Sequence, residues 1–350
     1  MLDDRIKAYR QDGINLKTNP STYKKDNLWL KEVDSLALCS TWKFLNDAYN
    51  NFFRNPKTGF PKFKSKKSYK QSYTTNNQPA SNAIRIEDSY IRLPKLGLVK
   101  IKIPRELPKG YKIKHVTISK TPTGKYFASI AIEYDFIVPQ PQLDLNNSIG
   151  LDYMSNGLFT DNQGNKPNYP RFYRLSEKNL AKEQRKLSLM TYGSHNYEKQ
   201  RKKVAKVQEK IANQRKDFLH KLSYEFANSY DFIFVEDLNL QSISQFGHLG
   251  KSTCDNGFGT FRTFLAYKMA DRGKVFHKID RWFPSSKTCS VCGTYHPEIV
   301  NGLNVRSWVC PECGTGHDRD INAARNILQK GKDEIRTAGT AGIASLSLNL

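Results

Sequence analysis

A chain of 350 residues is long enough for two or three domains and at least one substantial core. Lys and Arg number 56 against 33 Asp and Glu, a formal net charge of +23, and a surplus that size calls for an anionic partner, most simply a phosphate backbone. No apolar run approaches the roughly 18–20 residues of a spanning helix and no signal peptide follows Met1, so no membrane partner is expected.

In chain order, residues 23–53 predict helices: Leu36, Leu38, Trp42, Leu45, Ala48 and Phe52 recur at three- and four-residue steps, mostly on one face. The composition then shifts. RNPKTGFPKFKSKKSYK, residues 54–70, carries seven basic residues and no acid, with Pro, Gly and aromatics interleaved. It reads as an exposed loop or edge, and Lys62, Lys64, Lys66 and Lys67 are its candidate nucleic-acid contacts. Residues 83–136 predict β-structure, because GLVKIKIP alternates apolar and basic positions and Lys112–Lys120 and Lys125–Asp135 flank the turn TPTG. A small barrel or open sheet is expected there, followed by a linker, IVPQPQLDLNN.

Next, SIGLDYMSNGLFTDNQG predicts a strand ending near Asp152, a turn at Ser155–Gly157 and a second strand. Residues 174–229 are helical and basic, with an apolar stripe of Val204, Val207, Ile211, Phe218, Leu222 and Phe226. Between Arg171 and Leu222, 15 Lys or Arg face five Asp or Glu, so this surface should track phosphates; Arg201, Lys202 and Lys203 are its candidate contacts. YDFIFVEDLNL predicts a buried strand ending in an acidic pair. A helix over Thr260–Asp271 and a strand over Lys274–Asp280 precede the cysteines, which completes an α/β order. The tail TAGTAGIASLSLNL has low complexity and is expected to be disordered.

Four of the six cysteines form two pairs, Cys289-x-x-Cys292 and Cys310-x-x-Cys313, with 17 residues between them. That spacing suits one tetrahedral zinc ion. Four sulfurs leave no open position, so the expected role is structural. His296 and His317 are close in sequence but are left out of the ligand set because it is already full. Cys39 and Cys254 read as unpaired thiols.

Three acids stand out. Asp152 and Glu236 end apolar strands, and Asp320 stands where INAARNILQ starts a helix. Singly, each has an ordinary explanation as the start of a polar loop or as a helix cap. Together, in an α/β domain of a highly basic chain, they suit phosphodiester cleavage with two Mg²⁺ ions held by a few carboxylates.

The ordered stretches IGLDYMSNGLFTDNQG, FVEDLNL, NGFGTFRTFLAYKMADRGK, IDRWFPSSKTCSVCG and CPECGTGHDRDINAARNIL resemble the TnpB proteins of bacterial insertion sequences, relatives of type V CRISPR effectors. The segment GFPKFKSKK also resembles the family's link between its helical and β-rich parts. The resemblance implies an RNA-guided DNA endonuclease of a transposable element, acting in the bacterial cytoplasm at the nucleoid. Its guide RNA would come from the transposon flank and its target would be double-stranded DNA. The implied fold is α/β, RNase H-like (RuvC), with the zinc ribbon inserted just before the last catalytic acid. By motif match, Asp152 is the first RuvC aspartate, Glu236 the glutamate and Asp320 the last aspartate, with Asp318 as the fallback. The chain begins with what resembles the middle of the family's helical region, so several tens of N-terminal residues are expected to be missing.

The expected layout is a partial helical segment at 1–53 and a basic loop with a β-rich, barrel-like domain at 54–143. A RuvC-like domain follows at 144–331, carrying basic helices 174–229 and the zinc ribbon 286–317, and then a disordered tail at 332–350. Two other functions compete: an RNA-guided DNA-binding protein that does not cut, and a transposase that joins DNA strands.

Overall fold

A computed structural model of the chain describes residues 1–16, 18–63, 71–78, 82–245, 250–299 and 305–346. The chain divides into two compact units, Met1–Phe136 and Ile137–Leu350.

The first unit opens with helix α1 (Leu2–Asp12), closed by Gly13 in the left-handed conformation. Helix α2 (Ser35–Arg54) starts on Asp34, whose side chain accepts the Leu36 N–H. The predicted helices over 23–53 are therefore mostly one helix. Ahead of it lie only short 3₁₀ turns, Thr22–Lys24 and Leu28–Lys31, because Asn19 and Asp34 bind N–H groups that a continuous helix would use. Among the described residues six strands follow: β1 (Gln71–Asn76), β2 (Arg85–Glu87), β3 (Tyr90–Leu93), β4 (Gly97–Lys100), β5 (Lys112–Lys120) and β6 (Tyr126–Glu133). They form two antiparallel sheets, β1-β5-β6 and β2-β3-β4, over one core of Ile84, Ile91, Leu93, Ile113 and Val116.

The second unit contains β7 (Ser148–Tyr153), β8 (Phe159–Asp161), α3 (Phe172–Ser188), α4 (His195–Ser229) and β9 (Phe232–Glu236). After these come α5 (Leu240–Gln245), α6 (Gly250–Asn256), α7 (Phe258–Ala270), β10 (Val275–Ile279), β11 (Ser307–Val309), β12 (Gly316–Asp318) and α8 (Arg319–Leu346). The main sheet has the order β10-β9-β7-β8, with β7, β9 and β10 parallel and β8 antiparallel. The basic helical region is two helices: α3 ends before Gly193, at positive φ, and α4 restarts where the Ser194 side chain accepts the Tyr197 N–H.

Side chains alternate across a strand, and here the alternation sorts two cores. Ile149, Leu151, Ile233 and Val235 point to one face, against Leu219 of α4 and Phe261 and Leu265 of α7. Phe232, Phe234 and Ile279 point to the other, against Ile327 and Ile335 of α8. Two glycines allow α8 to lie directly on the sheet. A Cβ at Gly150 would sit 2.3 Å from the Ala324 carbonyl oxygen, and one at Gly331 would sit 2.1 Å from the Phe234 ring.

Two expectations change. The stretch read as a linker contributes Leu143 and Leu145 to the α8-side core, so it is part of the second unit. The segment expected to be disordered continues α8 as far as Leu346: Ile335 is buried, and Ala338, Ala341 and Ala344 are strong helix formers. Residues 347–350 lie outside the described residues. Among the described residues, no helix is long and apolar enough to cross a membrane.

Candidate active site

Strand parity places the first two acids. Gly150 and Phe234 lie on the α8 side of the sheet, so two residues on, Asp152 and Glu236 point the same way. Leu151 pairs with Val235 across β7 and β9, which makes Asp152 and Glu236 neighbours at the carboxyl ends of adjacent parallel strands. Ligands of open α/β sheets bind at such an edge. Asp320 enters from the first turn of α8.

The two aspartates of HDRD have separate tasks. The Asp318 carboxylate accepts the backbone N–H groups of Asp320 (2.9 Å) and Ile321 (3.0 Å), so it caps the helix. Asp320 is thereby spared that role and faces the strand acids. Its Oδ1 lies 3.6 Å from the exposed Arg306 guanidinium.

Asp152 is half-buried. Burial, followed by the negative charges of Glu236 and Asp320, pushes this carboxyl well above the ordinary range, while Arg319 pulls part of the way back. Burial also raises Glu236, opposed by a hydrogen bond from the Ser285 hydroxyl. The strand end that carries Asp152 is fixed from behind. The Tyr153 hydroxyl donates to Thr253 (3.2 Å), and the Asn256 amide donates to the Tyr153 hydroxyl (3.2 Å) and the Met154 carbonyl (3.4 Å). On the Glu236 side, Arg262 donates to the carbonyls of Glu236 (3.1 Å) and Leu238 (3.2 Å).

The four predicted cysteines come together, their sulfurs all within 4.8 Å of one another. Cys289 to Cys313 and Cys292 to Cys310 are each 3.6 Å. Zinc–sulfur bonds of about 2.3 Å in a regular tetrahedron give S···S edges of about 3.8 Å, so the donor set fits such an ion. Among the described residues, no other group of three or more His, Cys, Asp or Glu converges this tightly; the three carboxylates are more widely spread.

The cysteine ribbon is bolted to α8. Asn322 accepts the Ser290 N–H (2.9 Å) and donates to the Thr288 carbonyl (2.7 Å), and Asn326 donates to the carbonyls of Ser285 (2.7 Å) and Thr288 (2.6 Å). Both asparagines are buried. Ser285 therefore joins Glu236 to the same helix that carries Asp320. Sequence reasoning missed Ser285, Asn322 and Asn326. The one available signal was a pair of asparagines four residues apart on an otherwise apolar helix face.

Of the predicted nucleic-acid contacts, Lys62, Lys202 and Lys203 are exposed. Arg201 is turned onto Glu198 at 2.9 Å, which leaves Lys202 and Lys203 as the outward pair. Lys64, Lys66 and Lys67 lie outside the described residues.

Carboxylates at the end of a mixed sheet, with a cysteine ribbon just ahead of an acid-bearing helix, define an α/β nuclease fold, and comparisons agree. Residues 129–246 match the family described as "Probable transposase" of the OrfB/IS605 kind, and residues 258–327 match "Cas12f1-like, TNB domain". A Streptomyces pristinaespiralis protein named "Putative RNA-guided DNA endonuclease" is 37% identical over 306 residues, covering 87% of this chain and 73% of that protein. "Putative RNA-guided DNA endonuclease InsQ" of Escherichia coli K12 is 32% identical over 319 residues, covering 87% and 76%. The fold also matches the protein in "Cryo-EM structure of the Cas12f1-sgRNA-target DNA complex", with a TM-score of 0.55 at 14% identity, covering 93% of this chain and 79% of that one. The chain belongs to the TnpB family.

Proposed function

We propose that this protein is an RNA-guided DNA endonuclease of a transposable element, cutting target DNA with Asp152, Glu236 and Asp320. The observation that carries the reading is the meeting of three acids at one sheet edge, where burial first, and then the charges of Glu236 and Asp320, raise the Asp152 carboxyl. Such crowding is unfavourable in the free protein and is relieved by bound cations. The donors are hard oxygens, which suits Mg²⁺. When bound, Mg²⁺ would supply the Lewis acidity that activates water and stabilises the leaving oxygen.

The remaining work falls to side chains. Asp152 must give up its proton for the site to load, so loading weakens as pH falls. Ser285 holds one Glu236 oxygen and leaves the other for a ligand. Asp318 fixes the start of α8 so that Asp320 keeps its heading. Arg306 and Arg319 flank the acids, where they would meet the phosphates. Zinc in the four-cysteine site would hold the ribbon against α8 without taking part in chemistry.

Guide RNA from the transposon flank and double-stranded target DNA are the partners we assign, in the setting of a bacterial nucleoid. The names of the two relatives and the net charge of +23 support this. Base pairing would carry the sequence specificity, and the protein would contact backbone and duplex shape. The test is incubation with flanking RNA and a library of DNA targets, in Mg²⁺ or in EDTA. Guide-dependent cuts that vanish in EDTA are expected. Guide-dependent binding without cuts would instead assign a DNA-binding role, and strand joining without a guide would assign a transposase.

A further inference from the structure

The two halves of the cysteine ribbon repeat one another. Residues 289–296 read CSVCGTYH and residues 310–317 read CPECGTGH, both of the form C-x-x-C-G-T-x-H. The backbone repeats too. Cys289 N–H donates to the Thr294 carbonyl and Cys310 N–H to the Thr315 carbonyl, each at 2.9 Å. In each half the threonine hydroxyl sits beside the second cysteine, Thr294 at 3.3 Å from Cys292 and Thr315 at 3.2 Å from Cys313.

The histidines break out of this local pattern and cross over. His317 Nε2 lies 3.1 Å from the Cys289 sulfur, and His296 Nε2 lies 3.3 Å from the Cys310 sulfur. Each half thus lends its ring to the other half's first cysteine. Both histidines are buried, at 3% and 5% exposure, and so are the two sulfurs they meet. Their rings lie on Trp308, with centroids 5.8 Å and 4.6 Å from the indole. Cys292 and Cys313 are exposed, and each lies beside the threonine hydroxyl of its own half, with no histidine recorded at either sulfur among the described residues.

We propose that His296 and His317 are crossed positioning residues of the cysteine metal centre: each donates its Nε2–H to a buried thiolate of the opposite half and so locks the two halves around the ion. A metal-bound thiolate carries no proton, so the ring nitrogen is the donor at both contacts. Charge-assisted hydrogen bonds of this kind are stronger than neutral ones. They draw charge from sulfur and fix the ligand geometry, and losing an outer partner of a metal ligand typically costs roughly 10–100-fold in metal affinity. The position of His317 adds a consequence. It lies on β12, directly before Asp318, which caps α8. The bond from His317 to Cys289 therefore pins the metal centre to the helix start that carries Asp320.

The proposal rests on reading the four cysteines as a zinc site. The experiment measures zinc content of the purified full chain, then zinc release to a colorimetric chelator, for wild type and for His317→Leu, His317→Gln, His296→Leu and His296→Gln. Leucine keeps much of the volume and removes the donor, whereas glutamine offers an amide N–H near the Nε2 position. We expect one zinc per chain in wild type, release accelerated roughly 10–100-fold in the leucine variants, and near-native release in the glutamine variants. Cobalt-loaded leucine variants should keep a four-sulfur spectrum. Release unchanged by leucine, or accelerated more by glutamine, would show that the rings act only through packing and would overturn the histidine role alone. A cobalt spectrum that loses a nitrogen ligand in a leucine variant would make that histidine a direct ligand and also overturn the proposal. Wild-type protein without zinc would remove the zinc reading itself.

Discussion

Asp152→Asn should stabilise the metal-free protein. The substitution keeps size and shape and removes the charge that Glu236 and Asp320 oppose. Neighbouring strands lie about 4.8 Å apart, so carboxylates on them stand about 5–7 Å apart. Two unit charges at that distance, in an effective dielectric of about 20, repel by about 2.5–3.5 kcal/mol. Arg319 offsets part of this, and the raised Asp152 carboxyl relieves more by holding its proton for part of the time. A net gain of about 1–2 kcal/mol remains, which for a domain of about 150–250 residues lifts Tm by about 2–8 °C. The sign with pH follows from the direction of the shift. The folded state holds the Asp152 proton more tightly than the unfolded state, whose carboxyl titrates near 3.8, so wild-type stability falls as pH rises from there through the raised folded value. The variant should lack this component. The assay is thermal unfolding in EDTA and in Mg²⁺, at pH 5 and pH 8. Mg²⁺ at tenfold excess over its Kd should stabilise wild type by about 1.4 kcal/mol and the variant by much less. A variant less stable than wild type in EDTA, with an equal response to Mg²⁺, would refute the idea that these acids are held together against their own repulsion.

Three further outcomes follow from the same geometry. Asn326→Leu removes the short donor to the Ser285 carbonyl, which keeps only Asn322 at 3.5 Å, and one of the two donors to the Thr288 carbonyl, and urea unfolding should show a loss of about 1–3 kcal/mol. Gly150→Ala would drive a Cβ into the Ala324 carbonyl at 2.3 Å; α8 has to shift, and Mg²⁺-induced stabilisation should be lost even where the protein still folds. Replacing Lys202 and Lys203 together by Glu removes two outward cations from α4. If both meet phosphates, the slope of log affinity against log salt should fall by about 1.8 for duplex DNA, and an unchanged slope would show a merely solvated face.

Much of the site was legible in the amino-acid sequence, and the reasons differ by residue. The strand acids stood out because each ends a run too apolar to be anything but core, and the cysteines because their spacing fits one ion. What the sequence could not provide was the face. FIFV is apolar at every position, so nothing in it tells which residues α8 will cover, and only the packing of Gly150 and Phe234 shows that Asp152 and Glu236 point toward that helix. The choice within HDRD was open for a similar reason: either aspartate could cap, and the hydrogen bonds of Asp318 assign that task to it. Ser285 was hidden by distance, since it meets Glu236 from 49 residues away. The tail reads as low complexity because Ala, Gly, Thr and Ser recur in it, yet its described part, as far as Leu346, continues α8.

The central claim is that Asp152, Glu236 and Asp320 act as one cutting site while Asp318 only caps. Guide-dependent cleavage rates for Asp152→Ala, Glu236→Ala, Asp320→Ala and Asp318→Asn, on one target in Mg²⁺, test it most directly. Each of the first three should abolish cutting while leaving guide-dependent DNA binding intact, and Asp318→Asn, which keeps a capping oxygen, should cut at a rate within about tenfold of wild type. Full loss with Asp318→Asn and retained cutting with Asp320→Ala would contradict the account and move the third acid to Asp318.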